Sequence, residues 1–202
     1  MIKLDDLGKT SGGGSSFFKL EDGQSKRVRF LFNTVSDVEN NAYYVHVFSG
    51  KNFATIACSR GEGEAIDTCK WCSMGNNKVD RVVIPFFLEE ENEIQYWTRS
   101  GKWVSDTLIP VFTNLPEGAP ISGQSFIISR KGKTMQDTVY TIAPDMRVQN
   151  DMKTKEQFGD IKDAFECGAI KPNDYDFDPK GNESNSNNQQ IPQATRRTTD
   201  VF

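Results

Sequence analysis

Residues 46–72 read HVFSGKNFATIACSRGEGEAIDTCKWC and hold three of the chain's four cysteines and its sole histidine. His46, Cys58, Cys69 and Cys72 follow one another as H-x11-C-x10-C-x2-C. A Cys-x-x-Cys turn aims two thiolates at one ion, and a Cys and a His arriving from elsewhere complete a tetrahedron. One imidazole and three thiolates form a set used by structural zinc, which accepts soft ligands without further geometric demands. A redox role for Cys69 and Cys72 lacks a surrounding βαβ pattern and a Pro or Gly at the centre of the pair. A disulfide would need an oxidising compartment, and no stretch at the start resembles a signal peptide. A Cys–His nucleophile leaves the other two cysteines unexplained. Four filled ligand positions leave none for a reactive water, so one Zn2+ is expected to hold structure and do no chemistry.

Strand patterns lie on both sides of this stretch. Residues 42–48 place Tyr44, His46 and Phe48 on one face, opposite Tyr43, Val45 and Val47. In 27–32, Val28, Phe30 and Phe32 alternate with Arg27, Arg29 and Leu31, giving one apolar and one partly basic face. Residues 79–88 read as the strongest core strand, with Pro85 suggesting an edge or a bulge. Residues 94–98 form another strand, and 104–111 a short helical or extended piece. Residues 124–129 and 136–142 form a hairpin across the basic tip 130–134. Short strands separated by turn signals describe a small all-β barrel or sandwich. Val28, Phe30, Phe32, Phe86 and Phe126 are expected in its core.

The flanks differ in character. Residues 1–16 form a flexible arm containing a Ser/Gly-rich linker. Residues 17–148 are the barrel, with a zinc-binding subdomain at about 46–78. Residues 149–171 form an acidic segment with a short helix over 153–165, where Phe158, Ile161 and Phe165 fall at helical spacing. Cys167 is a lone thiol. From 172 to 202 the chain is rich in Asn, Ser, Gln and Asp, a disordered tail by composition.

The formal net charge of −4 argues against a uniformly basic nucleic-acid protein. Residues 151–178 carry eight acids against four lysines, while basic residues cluster elsewhere. No apolar run is long enough for a membrane helix, so an intracellular, reducing setting is expected. The chain has 14 Phe, 5 Tyr and 3 Trp, many of them beside Arg or Lys. Aromatic faces interleaved with cations suit single-stranded nucleic acid, whose bases stack while its phosphates meet positive charge. A basic reading helix for duplex DNA is lacking. The candidate binding residues are Arg27, Arg29, Tyr43, Tyr44, Lys51, Phe53, Lys70, Trp71, Trp97, Arg99, Lys102, Trp103, Arg130, Lys131 and Lys133. Among them Tyr43, Tyr44, Phe53, Trp71, Trp97 and Trp103 are expected at the surface.

The run FFKLEDGQSKRVRFLF at 17–32, the strand holding His46, the His/Cys cluster and WTRSGKW at 97–103 resemble phage single-stranded-DNA-binding proteins. The metal ligands in particular resemble those of the zinc-containing T-even phage helix-destabilising proteins. The resemblance covers about residues 17–145. It implies a mainly β OB-fold barrel with an inserted zinc subdomain and a groove between them for single strands of any sequence. It also implies an acidic C-terminal segment that recruits phage replication, recombination and repair proteins and competes with DNA. The family's basic N-terminal motif for self-association on DNA is reduced here to Lys3 and Lys9 with acids between.

The expectation is therefore a non-enzymatic single-stranded-DNA-binding protein in the cytoplasm of a host bacterium, with zinc fixing one wall of the groove. The alternatives are a zinc-stabilised adaptor that binds proteins and a binder of single-stranded RNA.

Overall fold

The computed structural model describes residues 17–49, 53–134 and 136–177. Among these, seven strands form one mainly antiparallel sheet: β1 (Ser25–Phe30), β2 (Ala42–Phe48), β3 (Ala54–Ala57), β4 (Val79–Leu88), β5 (Glu93–Arg99), β6 (Phe126–Lys131) and β7 (Val139–Pro144). The order is β3-β2-β4-β1-β6-β7, with β5 on the other edge of β4. β4 is the organiser. Its first half pairs with β2 (Val45↔Val79, Ala42↔Val82) and its second half with β1 (Phe30↔Phe86, Val28↔Leu88). Val82 to Leu88 also pair with β5.

Pro85 therefore lies inside a central strand, which corrects the expectation of an edge or bulge. The position tolerates it because β4 changes partner there. Val83 N–H donates to Asn41 O on the β2 side, and Leu31 N–H donates to Pro85 O just beyond β1. The missing proline N–H falls at the end of a ladder, where it costs least. The four residues of β3 were not anticipated.

Val28, Phe30, Phe32, Phe86 and Phe126 are fully buried, as the alternation predicts. Phe30 meets Phe126 and Phe112 edge-on at 5.1 Å, and Phe18 meets Phe86 at 4.7 Å. After two short helices, α1 (Val35–Glu39) and α2 (Lys70–Ser73), a helical run supplies Phe112 and covers this core: α3 (Gly101–Trp103), a π turn (Val104–Leu108) and α4 (Ile109–Thr113). Ser100 Oγ caps its start by accepting Trp103 N–H at 3.2 Å. Pro110 has no N–H for the helical ladder, and the wider π turn immediately before it takes up that break.

The ladders do not close into a ring among the described residues; β5 and β7 face each other through side chains. Trp97 on β5 packs on Tyr140 of β7 with ring centroids 5.0 Å apart. Residues 17–20 run along the same seam: Phe18 N–H donates to Tyr96 O, and Leu20 O accepts from Arg130.

The segment after β7 departs from expectation. In place of a helix over 153–165 there is one 3-10 turn, Lys155–Phe158, and the remainder is laid irregularly on the sheet. Its apolar residues are spent singly on separate contacts: Phe158 against Phe87, Phe165 against Tyr43, and buried Ala164 and Ile170 beneath β2, β4 and β5. Residues 172–177, expected within a disordered tail, are packed as well, with Phe177 buried. The rest of that expected tail and the arm 1–16 lie outside the described residues. No helix among the described residues is long and apolar enough to cross a membrane.

Candidate metal centre and the surface around it

His46, Cys58, Cys69 and Cys72 are all buried, and their ligand atoms lie within 4.8 Å of one another. They come from three local settings. His46 projects from β2, Cys58 directly follows β3, and Cys69 and Cys72 bracket the first turn of α2 (Lys70–Ser73). His46 Nε2 is 3.4 Å from Cys69 Sγ and 3.7 Å from Cys72 Sγ, and Cys58 Sγ is 3.7 Å from Cys72 Sγ. Thiolates about 2.3 Å from a shared tetrahedral ion stand about 3.8 Å apart, so the gathering of these four side chains is consistent with one metal site. All three cysteines are free thiols. His46 Nδ1–H donates to Asn77 O at 3.1 Å, which leaves Nε2 with its lone pair toward the cluster.

The thiols are tuned in opposite directions. Burial, with Cys72 and Cys69 close by, pushes the Cys58 thiol up to about 12, against a smaller opposing pull from the Arg60 backbone. Burial also disfavours the Cys69 thiolate, but the backbone of Cys72 and Ser59 and the His46 and Asn173 side chains outweigh it and bring Cys69 down to about 5. A divalent ion favours the thiolate form throughout such a set.

The candidate binding residues separate into three groups. Tyr43, Trp71 and Trp97 are buried, which corrects their expected surface placement. Tyr43 lies under Phe165, Trp71 between Phe48 and Phe177, and Trp97 between Phe18, Trp103 and Tyr140. Arg27 and Arg29 do form one face of β1, but carboxylates cover it. Arg27 pairs with Asp145 at 3.0 Å, and Arg29 with Glu89 at 2.6 Å and Asp151 at 2.9 Å. Lys102 is exposed and pairs with Asp106.

The remaining candidates differ in exposure. Phe53 is 71% exposed, and Lys70, Lys131 and Lys133 are exposed. Tyr44, Trp103 and Arg130 are half-buried, Tyr44 with Lys78 Nζ 3.9 Å above its ring. Arg99 is enclosed by Trp97, Tyr140 and Trp103 at 4.0, 4.6 and 5.3 Å, and burial lowers its pKa. Lys51 lies outside the described residues.

Phe53 stands in a groove with Phe17, Val47, Arg81, Thr98 and Lys171. Tyr43, Val45, Val83 and Tyr96 continue the same sheet face and are covered by residues 164–170, so the groove is the part of that face that the described residues leave open. Arg81 and Lys171 were not anticipated as site residues. No local motif marks Arg81, and Lys171 reaches the groove only through the irregular path of the C-terminal segment. His46 points to the opposite face of β2 from Val47. The His/Cys cluster thus lies on the other side of β2 from this groove. Comparison of the chain with protein-family models, curated proteins and solved structures found no match.

Proposed function

We propose that this protein binds single-stranded DNA without sequence preference, protecting and organising it during replication, recombination and repair. The observation that carries the reading is Phe53: a phenylalanine 71% exposed in a groove that also holds Arg81 and Lys171. A base stacked on such a ring contributes about 1–3 kcal/mol, and cations in the same groove suit the phosphates. The ion is zinc on this reading, since three cysteines and a histidine gathered within 4.8 Å are its usual structural set. The fold is read as an OB-type barrel whose seam is completed by Trp97 and Tyr140, with the metal-bearing 46–78 region inserted into it. The resemblance of the His/Cys spacing to phage helix-destabilising proteins supports the same assignment. On this reading the protein works in the cytoplasm of a phage-infected bacterium, with replication, recombination and repair proteins as partners of its C-terminal segment.

The test is a fluorescence titration with oligo-dT at low salt, repeated with oligo-U. Saturable binding of oligo-dT is expected; its absence rules the function out, and equal affinity for oligo-U extends the ligand to RNA. A second reading, a zinc-stabilised adaptor for proteins, is favoured by the burial of Tyr43, Trp71 and Trp97, which leaves fewer rings for bases. An adaptor binds neither oligonucleotide.

A further inference from the structure

Residues 171–177 reach the metal cluster from far along the chain and fasten to it at several points. Lys171 N–H donates to Thr55 O at 2.7 Å, and Lys171 O accepts Ala57 N–H at 2.8 Å, so the backbone straddles Ile56 on β3. Asn173 then reaches inward. Its Nδ2 donates to Ala57 O at 2.9 Å and meets Cys69 Sγ at 3.4 Å, while its backbone carbonyl accepts Trp71 Nε1–H at 3.1 Å. Phe177 closes the contact, 5.0 Å from Phe48 and 6.3 Å from Trp71. This strap therefore touches Cys69 itself, the residue before Cys58 and a residue between Cys69 and Cys72.

Resting on the reading that the four-residue cluster binds a metal ion, we infer that Asn173 is an outer member of the metal centre and that ion binding and docking of residues 171–177 are one coupled equilibrium. An amide N–H directed at a sulfur is a better partner for a thiolate than for a thiol, because the thiolate is the stronger acceptor. Three thiolates around a dication carry a net negative charge, and a donor from outside the ligand set disperses part of it. Ala57 O and the Trp71 indole hold that donor in place, so the strap must be docked for Asn173 to act. Linkage then runs both ways: if docking raises affinity for the ion, the ion raises the stability of docking by the same factor. The path by which the chain leaves the sheet toward its C-terminal residues is thereby set by the metal.

The experiment uses the full chain and Zn2+ in competition with a chromophoric chelator. Asn173→Ala is expected to bind Zn2+ about 10–100-fold more weakly, the usual consequence of removing an outer partner of a metal ligand. Phe177→Ala keeps the amide donor but loosens the strap, and a smaller loss is expected. With Co2+ in place of Zn2+, Asn173→Ala should move the thiolate-to-metal charge-transfer band to longer wavelength, a change that looser packing alone does not produce. In the unaltered protein, chelation of Zn2+ should accelerate hydrogen exchange at the Ala57 and Lys171 amides. Tight Zn2+ binding with no loss in Asn173→Ala overturns the inference and leaves the metal site standing. Unchanged exchange at both amides after chelation also overturns it. An unaltered protein that binds no Zn2+ overturns the metal reading and this inference together.

Discussion

Phe53 and Trp97 are both large aromatic residues, and substitution should separate them cleanly. Phe53 is 71% exposed and touches little of the core, so Phe53→Ala should weaken oligo-dT binding by about 1–3 kcal/mol with thermal stability unchanged. Trp97 is buried among Phe18, Trp103 and Tyr140, so Trp97→Ala should destabilise the fold by about 3–5 kcal/mol in urea unfolding. The same scale governs the response to acid. Asp145 is almost wholly buried, and Arg147, reinforced by Arg27, holds its carboxyl far below the usual carboxylate range. A carboxyl with a depressed folded pKa stabilises the fold above its unfolded value, near 4. That contribution is lost as pH falls from there toward the folded value. Asp145→Asn should therefore be less stable than the unaltered protein at pH 7, with the gap narrowing below about pH 4. A gap in urea midpoint that stays constant from pH 7 to pH 2.5 would refute the assignment.

At the level of elements, the β6–β7 hairpin depends on one glycine. Gly132 has φ +109°, and a Cβ there would stand 2.2 Å from the Asp137 carbonyl oxygen, a backbone atom that cannot swing aside. Gly132→Ala should cost about 1–3 kcal/mol in urea unfolding and increase amide exchange in β6 and β7. How legible each element was follows from how it buries its residues. β2 and β4 could be read with their observed bounds because they alternate or run apolar for several residues. β3 is four small or apolar residues without alternation, too short to carry a period. The C-terminal segment was misread for a related reason. Phe158 and Phe165 are anchored on different parts of the sheet, so the near-helical spacing of Phe158, Ile161 and Phe165 has no helix behind it. The gathering of His46, Cys58, Cys69 and Cys72 was readable because thiol and imidazole types in that order suit few other purposes. Asn173 was not, since an amide remote in sequence has no pattern to announce it. Arg27 and Arg29 looked like a free basic face because the acids that cover them, Glu89, Asp145 and Asp151, come from two other parts of the chain.

For the molecule as a whole, the main apolar core is separate from the cluster holding Cys58, Cys69 and Cys72. Stripping the ion with a chelator should therefore raise hydrogen exchange in β2, β3 and residues 58–78 while the β1–β6 pairing stays protected. Uniform loss of protection would mean that the ion supports the entire fold. Salt dependence is a second molecular property. With Arg81 and Lys171 as two phosphate contacts, the logarithm of affinity should fall with the logarithm of salt concentration at a slope of about −1.4, and Lys171→Ala should reduce it to about −0.7. A final consequence concerns synthesis. β1 and β2 each pair with β4 but not with each other. A nascent chain that has not yet released Val79 to Leu88 from the ribosome exposes two strands with no common partner. Beyond the β2–β3 hairpin, sheet assembly must wait for that segment, and translation stalled before it would leave unpaired edges open to association with other chains.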